Sequence, residues 1–426
     1  MPSFVRRGLE TLVRPFPADE VTSVGAEADP VEGGVTRGDL DAIWRAAVGA
    51  YETGLYPALA LCVRRGNVTV LDRAIGHAAG NGPQDGRDAY KRPARHDSLY
   101  CMFSASKMVT AMLVHLLEER HLVHLDDPVA TYLPDFARKG KGAITLRHVL
   151  THRAGVPRIP PELADPNLLA HPELILSLLS EQAPSWRPGR KLGYHALTGG
   201  FLLGAVVERV TGKPLRQVLL EEVRKPLGLA TFDFGVPASR LKDVAVNAFT
   251  GPPVVPPLST FIKRALSVGF VDAVRMSNDP RFLEAVVPAG NICTTASDAA
   301  RFMQMLLDGG TLDGVRIMSE RTIARAMAEQ SYLELDLTIG VPIRYGMGFM
   351  LGAKVASPYG LDTPHAFGHL GFTNVFAWAD PERDVAGALM TTGKPVLSPA
   401  MTKTWWLLTT IARRMPKTGA ASATRR

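Results

Sequence analysis

At 426 residues, with 46% hydrophobic and 21% charged side chains, the chain has the composition of an ordinary globular protein, long enough for two structural units around one site. Its 39 glycines and 32 prolines are too dispersed for a collagen-like or low-complexity sequence. The formal net charge is +7, but Arg413, Arg414, Lys417, Arg425 and Arg426 lie in the last 16 residues with no acid among them, and removing these five leaves +2. The basicity therefore reads as a solvated tail and excludes a nucleic-acid-binding face as the organising feature.

Cys62, Cys101 and Cys293 are widely spaced and form no C-x-x-C pair, which argues against a disulfide framework or a zinc site. Cys62 and Cys101 sit in apolar runs and read as small buried hydrophobes. The N-terminal stretch has no continuous apolar core of the signal-peptide kind, and no segment is long and uncharged enough to span a bilayer. A cytoplasmic chain is the expectation. Val5, Leu9, Leu12 and Phe16 recur at helical spacing with Arg6, Arg7 and Arg14 between them. That pattern fits a short membrane-surface helix, although such segments more commonly pack on their own domain.

Residues 1–35 read as an extension that ends in a Gly/Glu/Asp-rich linker over 23–34. A helix follows, with Leu40, Ile43, Trp44, Ala47 and Tyr51 on one stripe. The runs 58–64 and 68–75, separated by Gly66-Asn67, predict a hairpin. The pattern turns helical over 104–119, where Met108, Met112 and Leu116 recur. Residues 120–330 are mostly helical segments punctuated by prolines, among them 146–150, 172–179, 198–210 and 298–307, while 252–280 has no clear period. Strand-like runs return at 345–351, 366–369, 374–379 and 385–390, the last two joined by a turn at Asp380-Pro381. A helix over 401–414, carrying Trp405, Trp406, Leu407 and Ile411, closes the pattern.

Strands at both ends can pair only if the middle is an insertion. The expected fold is thus α+β, an antiparallel sheet flanked by helices beside a mostly helical domain. The sheet domain takes 36–100 and 330–415, the helical domain 101–329, and 416–426 forms the basic tail. There is no βαβ alternation and no internal repeat.

The chemistry centres on Ser104-Ala105-Ser106-Lys107. At i and i+3, Ser104 and Lys107 share one helical face. The helix start sets Ser104 beside free backbone N–H groups and the positive end of the dipole. That field favours an alkoxide, and burial among apolar neighbours strips the proton from a lysine, which can then deprotonate the serine. On spacing alone, Ser104 as a plain N-cap is the better reading.

The flanking segments change this. FSASKMVTAMLVHLLEE, LDDPVATYLPDF, ITLRHVLTHRAGVP, RPGRKLGYHALTGGFLLGAVVERVTGKPL, PAGNICTTASDAARFMQML, YGMGF and FGHLGFTNVFAWADPERDVAGALMTT follow in this order. Over roughly residues 40 to 395 the chain resembles the serine β-lactamase and penicillin-binding-protein superfamily, including D-alanyl-D-alanine peptidases and family VIII carboxylesterases. The resemblance implies that Ser104 is the acylated nucleophile and Lys107 its basic partner. Tyr194, in Gly193-Tyr194-His195-Ala196, matches the tyrosine of the Y-x-N motif and would shuttle a proton to the leaving group. Its alternative is a core aromatic with a locally bonded hydroxyl. His369-Leu370-Gly371 stands at the K-T-G position. The resemblance there implies an oxyanion hole from the backbone N–H groups of Ser104 and Phe372, with small Gly371 letting the substrate approach.

Two departures narrow the reading. Ala196 replaces the asparagine of Y-x-N and cannot hold a substrate amide. His369 replaces the lysine of K-T-G and is mostly neutral near pH 7, so a permanent cation is missing. H-x-G here resembles the esterase branch. The expectation is a cofactor-free serine carboxylesterase for small-molecule esters of short to medium acyl chain, with Ala196, His369 and Gly371 at the substrate. Phe372, Met347, Phe349 and Trp378 are expected to build the acyl pocket, and 250–285 to set substrate size. A β-lactamase or D-alanyl-D-alanine peptidase-like enzyme and an idle scaffold of the same fold stay open. His195 is expected at the rim or packed outside, since adjacent side chains diverge. His148 and His152 have metal-pair spacing but no acidic third ligand, so a metal site is the minority reading. G-x-S-x-G is absent, which counts against an α/β-hydrolase. Oligomeric state leaves no trace in the sequence.

Overall fold

The computed structural model describes residues 11–332 and 334–418. One antiparallel sheet organises it: β1 (Thr22–Val24), β2 (Ala58–Arg65), β3 (Val68–Ala79), β4 (Met350–Leu351), β5 (Phe367–Gly371), β6 (Val375–Asp380) and β7 (Val385–Thr391), in the spatial order β1-β3-β2-β7-β6-β5-β4. A further short strand, Arg92–Pro93, pairs with β3. The two ends of the chain meet at β2 and β7, with Val63 opposite Gly387 and Leu61 opposite Leu389.

Helix α1 (Arg37–Ala50) begins at a capping box in which the Thr36 hydroxyl and the Asp39 backbone and carboxylate exchange hydrogen bonds, and it buries the stripe Leu40, Ile43, Ala47 and Ala50. Helix α2 (Ser106–Glu119) is buried from its first residue through Leu117 and packs against α3 (Thr198–Thr211). Helix α4 (Ala296–Leu307) lies across β7, β6 and β2, while α1 packs on β3 and along α5 (Thr402–Arg414). This cover is why β2, β6 and β7 are buried at every position and read as continuous apolar runs.

Several expectations change. The stretch 23–34 is not a loose linker, because β1 pairs with β3 and Glu27 forms two hydrogen bonds with the Arg73 guanidinium. Val5 and Leu9 lie outside the described residues, but Leu12 and Phe16 are on extended chain rather than a helix. The Phe16 N–H donates to the Tyr51 hydroxyl at 3.0 Å, and its ring meets His77, so this part of the segment packs on its own domain. Helix α4, grouped by sequence with the helical domain, covers the sheet instead. Of 345–351 only β4 is a strand, since the chain turns at Gly348 (φ +94), where a Cβ would come within 2.2 Å of the Ala111 side chain on α2. Two helices, Leu258–Leu266 and Phe270–Met276, occupy the stretch without a clear period. A small three-stranded sheet, in which Ile292–Thr294 pairs with both Tyr100–Cys101 and Asp233–Phe234, was not foreseen.

The basic tail is also less free than expected. Lys417 bridges Asp362 at 2.9 Å and Glu382 at 3.0 Å, and Arg414 faces Asp39 at 3.5 Å. Arg425 and Arg426 lie outside the described residues. No helix among the described residues is long and apolar enough to cross a membrane.

Arg383, in the β6–β7 turn, joins the ends of the fold. Its guanidinium donates to the buried Asp380 carboxylate at 2.8 Å and to the Ala412 carbonyl of α5 at 2.6 Å. Arg383→Met would leave Asp380 buried without its cation. It is expected to destabilise the protein by about 3 kcal/mol, read as a lowered urea midpoint, and an unchanged midpoint would contradict this.

Candidate active site

Ser104 lies in a 3₁₀ turn, Phe103–Ala105, that feeds α2. The helix N-cap is Ala105, without a side-chain cap, so Ser104 is not the plain N-cap that spacing alone suggested. Phe103, directly before it, has φ +48, an uncommon conformation for a bulky residue that only firm surroundings hold.

The Lys107 ammonium nitrogen, Nζ, is 3.0 Å from Ser104 Oγ and 3.2 Å from the Ala289 carbonyl oxygen. No carboxylate among the described residues pairs with it, and burial alone holds its pKa well below the ordinary lysine value. Burial thus favours the neutral amine over the ammonium, at hydrogen-bond distance from the serine hydroxyl. Tyr194 is buried beside this pair. Its ring centroid is 4.7 Å from Lys107 Nζ, and burial raises the phenol above its usual range, with nearby Ser104 opposing that shift.

The Tyr194 backbone is fixed by Asp336, a fully buried residue no motif identifies. Asp336 Oδ1 accepts from the N–H groups of Tyr194, Thr338 and Ile339, and Oδ2 accepts from the Tyr345 hydroxyl at 3.2 Å. The only sign in the sequence is an aspartate flanked by leucines at 335 and 337.

His195 is completely buried, not at the rim or outside: its Nε2 accepts from the Val156 N–H at 3.1 Å and its own N–H donates to His152 Nδ1 at 3.2 Å. Burial lowers its pKa to about 3, so the ring is neutral. His152 packs against Tyr194 with ring centroids 4.8 Å apart and the ring planes tilted by 54°. His148 Nδ1 accepts from the Thr145 N–H instead of facing His152 as a ligand pair. Among the described residues no group of three or more His, Cys, Asp or Glu side chains could hold a metal ion.

Strand β5 brings His369 and Gly371 to the same place. His369 is buried, burial first and the nearby Lys107 second lower its pKa to about 3, and its Nδ1 bonds the Leu370 carbonyl at 2.7 Å. A Cβ on Gly371 would come 2.1 Å from the Met102 carbonyl oxygen, so only glycine lets β5 lie against the turn that holds Ser104. Phe372 follows at φ +41, with its ring 5.2 Å from that of Phe103. Phe103 and Phe372 thus flank the two backbone N–H groups singled out from sequence.

A 130 Å³ cavity opens on Ser104, lined by Phe103, Ala196 and Phe372, by Ile159, Leu163 and Leu197, and by Leu266, Val268, Met276 and Phe282 from 250–285. Its lining contains no ionisable side chain. Met347, Phe349 and Trp378 are absent from it, contrary to expectation: Trp378 covers Gly387, Phe349 packs on Phe367, and the Met347 carbonyl bonds His115. A larger surface groove of 650 Å³, beside Arg344 and Pro364, contains none of these residues.

A serine beside a desolvated amine and a buried phenol, on an antiparallel sheet with an inserted helical region, defines a serine hydrolase of the β-lactamase fold. The family described as Beta-lactamase matches residues 44–409, and the chain belongs to that family. A curated relative, Esterase/beta-lactamase LipL of Mycobacterium tuberculosis, is 31% identical over 312 residues, covering 70% of this chain and 70% of its own. A solved family VIII carboxylesterase is 28% identical with a TM-score of 0.75, covering 89% of this chain and 99% of that one. A penicillin-binding protein homolog from Caulobacter crescentus is 27% identical with a TM-score of 0.74, covering 89% and 99%.

A desolvated amine activates its serine without alkaline conditions. A fluorophosphonate probe, from which Ser104 Oγ displaces fluoride, is expected to label Ser104 at near-neutral pH, located by peptide mass spectrometry. Lys107→Met should abolish labelling, and equally fast labelling of that variant would contradict the reading.

Proposed function

We propose that this protein is a serine carboxylesterase that hydrolyses uncharged small-molecule esters of short to medium acyl chain through an acyl-enzyme on Ser104. The observation that carries the reading is the apolar cavity on Ser104, bordered by Ala196 and lacking any cation. An anionic β-lactam or peptide carboxylate would find no partner there, since His369 is buried and neutral.

In the proposed reaction the Lys107 amine takes the Ser104 proton and Oγ attacks the ester carbonyl. The resulting oxyanion is held by the backbone N–H groups of Ser104 and Phe372. The carbon–alkoxide bond then breaks, and the alcohol leaves with a proton delivered through Tyr194. Water repeats the sequence on the acyl-enzyme, returning the acid and free Ser104. The family VIII carboxylesterase and the relative named as an esterase support this reading. The same relative's second printed activity is why a cephalosporin belongs in the test.

Turnover of p-nitrophenyl butyrate that Ser104→Ala abolishes, with little cleavage of a chromogenic cephalosporin, is the expected result. Faster cephalosporin turnover would reassign the enzyme to the β-lactamases. No Ser104-dependent turnover of either would overturn the esterase reading. Tyr194→Phe should lower kcat by about 10²–10⁴-fold with KM little changed. Along a series of p-nitrophenyl esters, kcat/KM should rise about fourfold per methylene until the cavity is full, then fall; a flat series would contradict an acyl role for the cavity.

A further inference from the structure

A second lysine lies fully buried behind the site and takes no part in the reaction above. Lys394, on the short strand Gly393–Lys394, donates from Nζ to the Thr391 carbonyl at 2.6 Å and sits 4.7 Å from the ring centroid of Phe103. No carboxylate among the described residues pairs with it. Thr391 in turn donates from Oγ1 to the Asn374 carbonyl at 2.9 Å, holding the β5–β6 turn that contains Phe372.

These contacts reach both sides of the proposed oxyanion hole. Phe103 and Phe372 have φ +48 and +41, and Asn374, which closes the turn, has φ +58. Three such residues persist only where neighbouring contacts hold them. The contacts form a closed circuit: Phe103 on Phe372 at 5.2 Å, Phe372 on Phe270 at 5.0 Å, Phe270 on Phe249 at 6.1 Å, and Phe249 in register with Lys394. Lys394 is the member of this circuit with a polar head group, and it touches the Phe103 side directly and the Phe372 side through Thr391.

We propose that Lys394 is a positioning residue of the oxyanion hole, its buried ammonium holding the nucleophile turn and the β5–β6 turn at the separation the substrate oxyanion requires. This inference rests on the esterase reading above. An ammonium binds the face of an aromatic ring and a carbonyl oxygen more strongly than the neutral amine does. Charge on Lys394 therefore tightens both contacts, and its loss loosens them.

Burial lowers the Lys394 pKa to about 7, with Cys101 opposing that shift. Among the described residues, Cys101, whose thiol donates to the Gly290 carbonyl at 3.4 Å, is the titratable group facing it; the other contacts, Phe103, Phe249 and Thr391, do not titrate. The sign follows: Lys394 is charged below about pH 7 and neutral above it, so positioning is complete at low pH and lost as pH rises. Lys107 works in the opposite sense, since it must be neutral.

The test is the pH dependence of kcat for p-nitrophenyl butyrate in wild type, Lys394→Met, Thr391→Val and Ser104→Ala. Wild type is expected to show kcat falling as pH rises through about 7. Lys394→Met should lower kcat about tenfold or more below that pH, with KM nearly unchanged, and abolish the descending limb. Thr391→Val should lower kcat but keep the limb. Thermal melts identify any variant that does not fold. A Lys394→Met enzyme with wild-type kcat or with the limb retained overturns the proposal. So does a wild-type profile without the limb, or a Thr391→Val enzyme with wild-type kcat, whether or not Lys394→Met folds. Wild-type turnover that Ser104→Ala does not abolish removes the esterase reading itself, which separates the two failures.

Discussion

The Lys107 amine lies 3.0 Å from the Ser104 hydroxyl with no carboxylate among the described residues to hold its proton. Keeping that amine dry requires a helix buried on all sides, and the architecture supplies one. Helix α2 is flanked by α3 from the inserted helical region, while the turn at Gly348 presses on its middle and β5 lies against its start. Helices and sheet therefore both contribute to the burial of one nitrogen, and that burial is what lowers the Lys107 pKa.

The same dryness governs the surroundings. His195 and His369 are neutral because burial disfavours their charged forms, and Tyr194 keeps its proton for the same reason. The result is a site whose two histidines and phenol are uncharged, opening onto an apolar cavity. In the proposed reaction, developing negative charge on a substrate oxygen would be the main charge in the pocket, where fixed backbone dipoles act most strongly. Asp336 belongs to this arrangement too, because three N–H groups and a phenol occupy its oxygens while it anchors the Tyr194 backbone.

Much of the fold was legible in the sequence where a single periodicity decides the outcome. The hairpin about Gly66-Asn67, the helix that carries Lys107 just after the Ser104 turn, and the strand return after residue 340 all follow from local pattern. The pairing of β2 with β7 followed from strands at both ends. Elements with two competing signals were not legible. In 345–351 an apolar run hides a turn that packing against Ala111 requires. Helix α4 carries no mark of which unit it covers, and β1 hides in a stretch that composition marks as a linker. At the site, Ser104, Lys107 and Tyr194, singled out through motif order, converge in space. Asp336 and Lys394 were not singled out because their full burial is a product of tertiary packing that the neighbouring sequence does not announce. The placement of Met347 and Phe349 failed because they flank the turn at Gly348 rather than lying on a strand, and that of Trp378 because alternation along a strand does not say which face meets the cavity.

The most direct measurement is the titration of Lys107 itself, by ¹⁵N NMR of lysine-labelled protein with Lys107→Met to assign the Nζ signal. The account predicts a neutral amine at about pH 7 and a titration midpoint well below the ordinary lysine value of about 10.4. A Lys107 signal that stays that of an ammonium up to about pH 10 would contradict it.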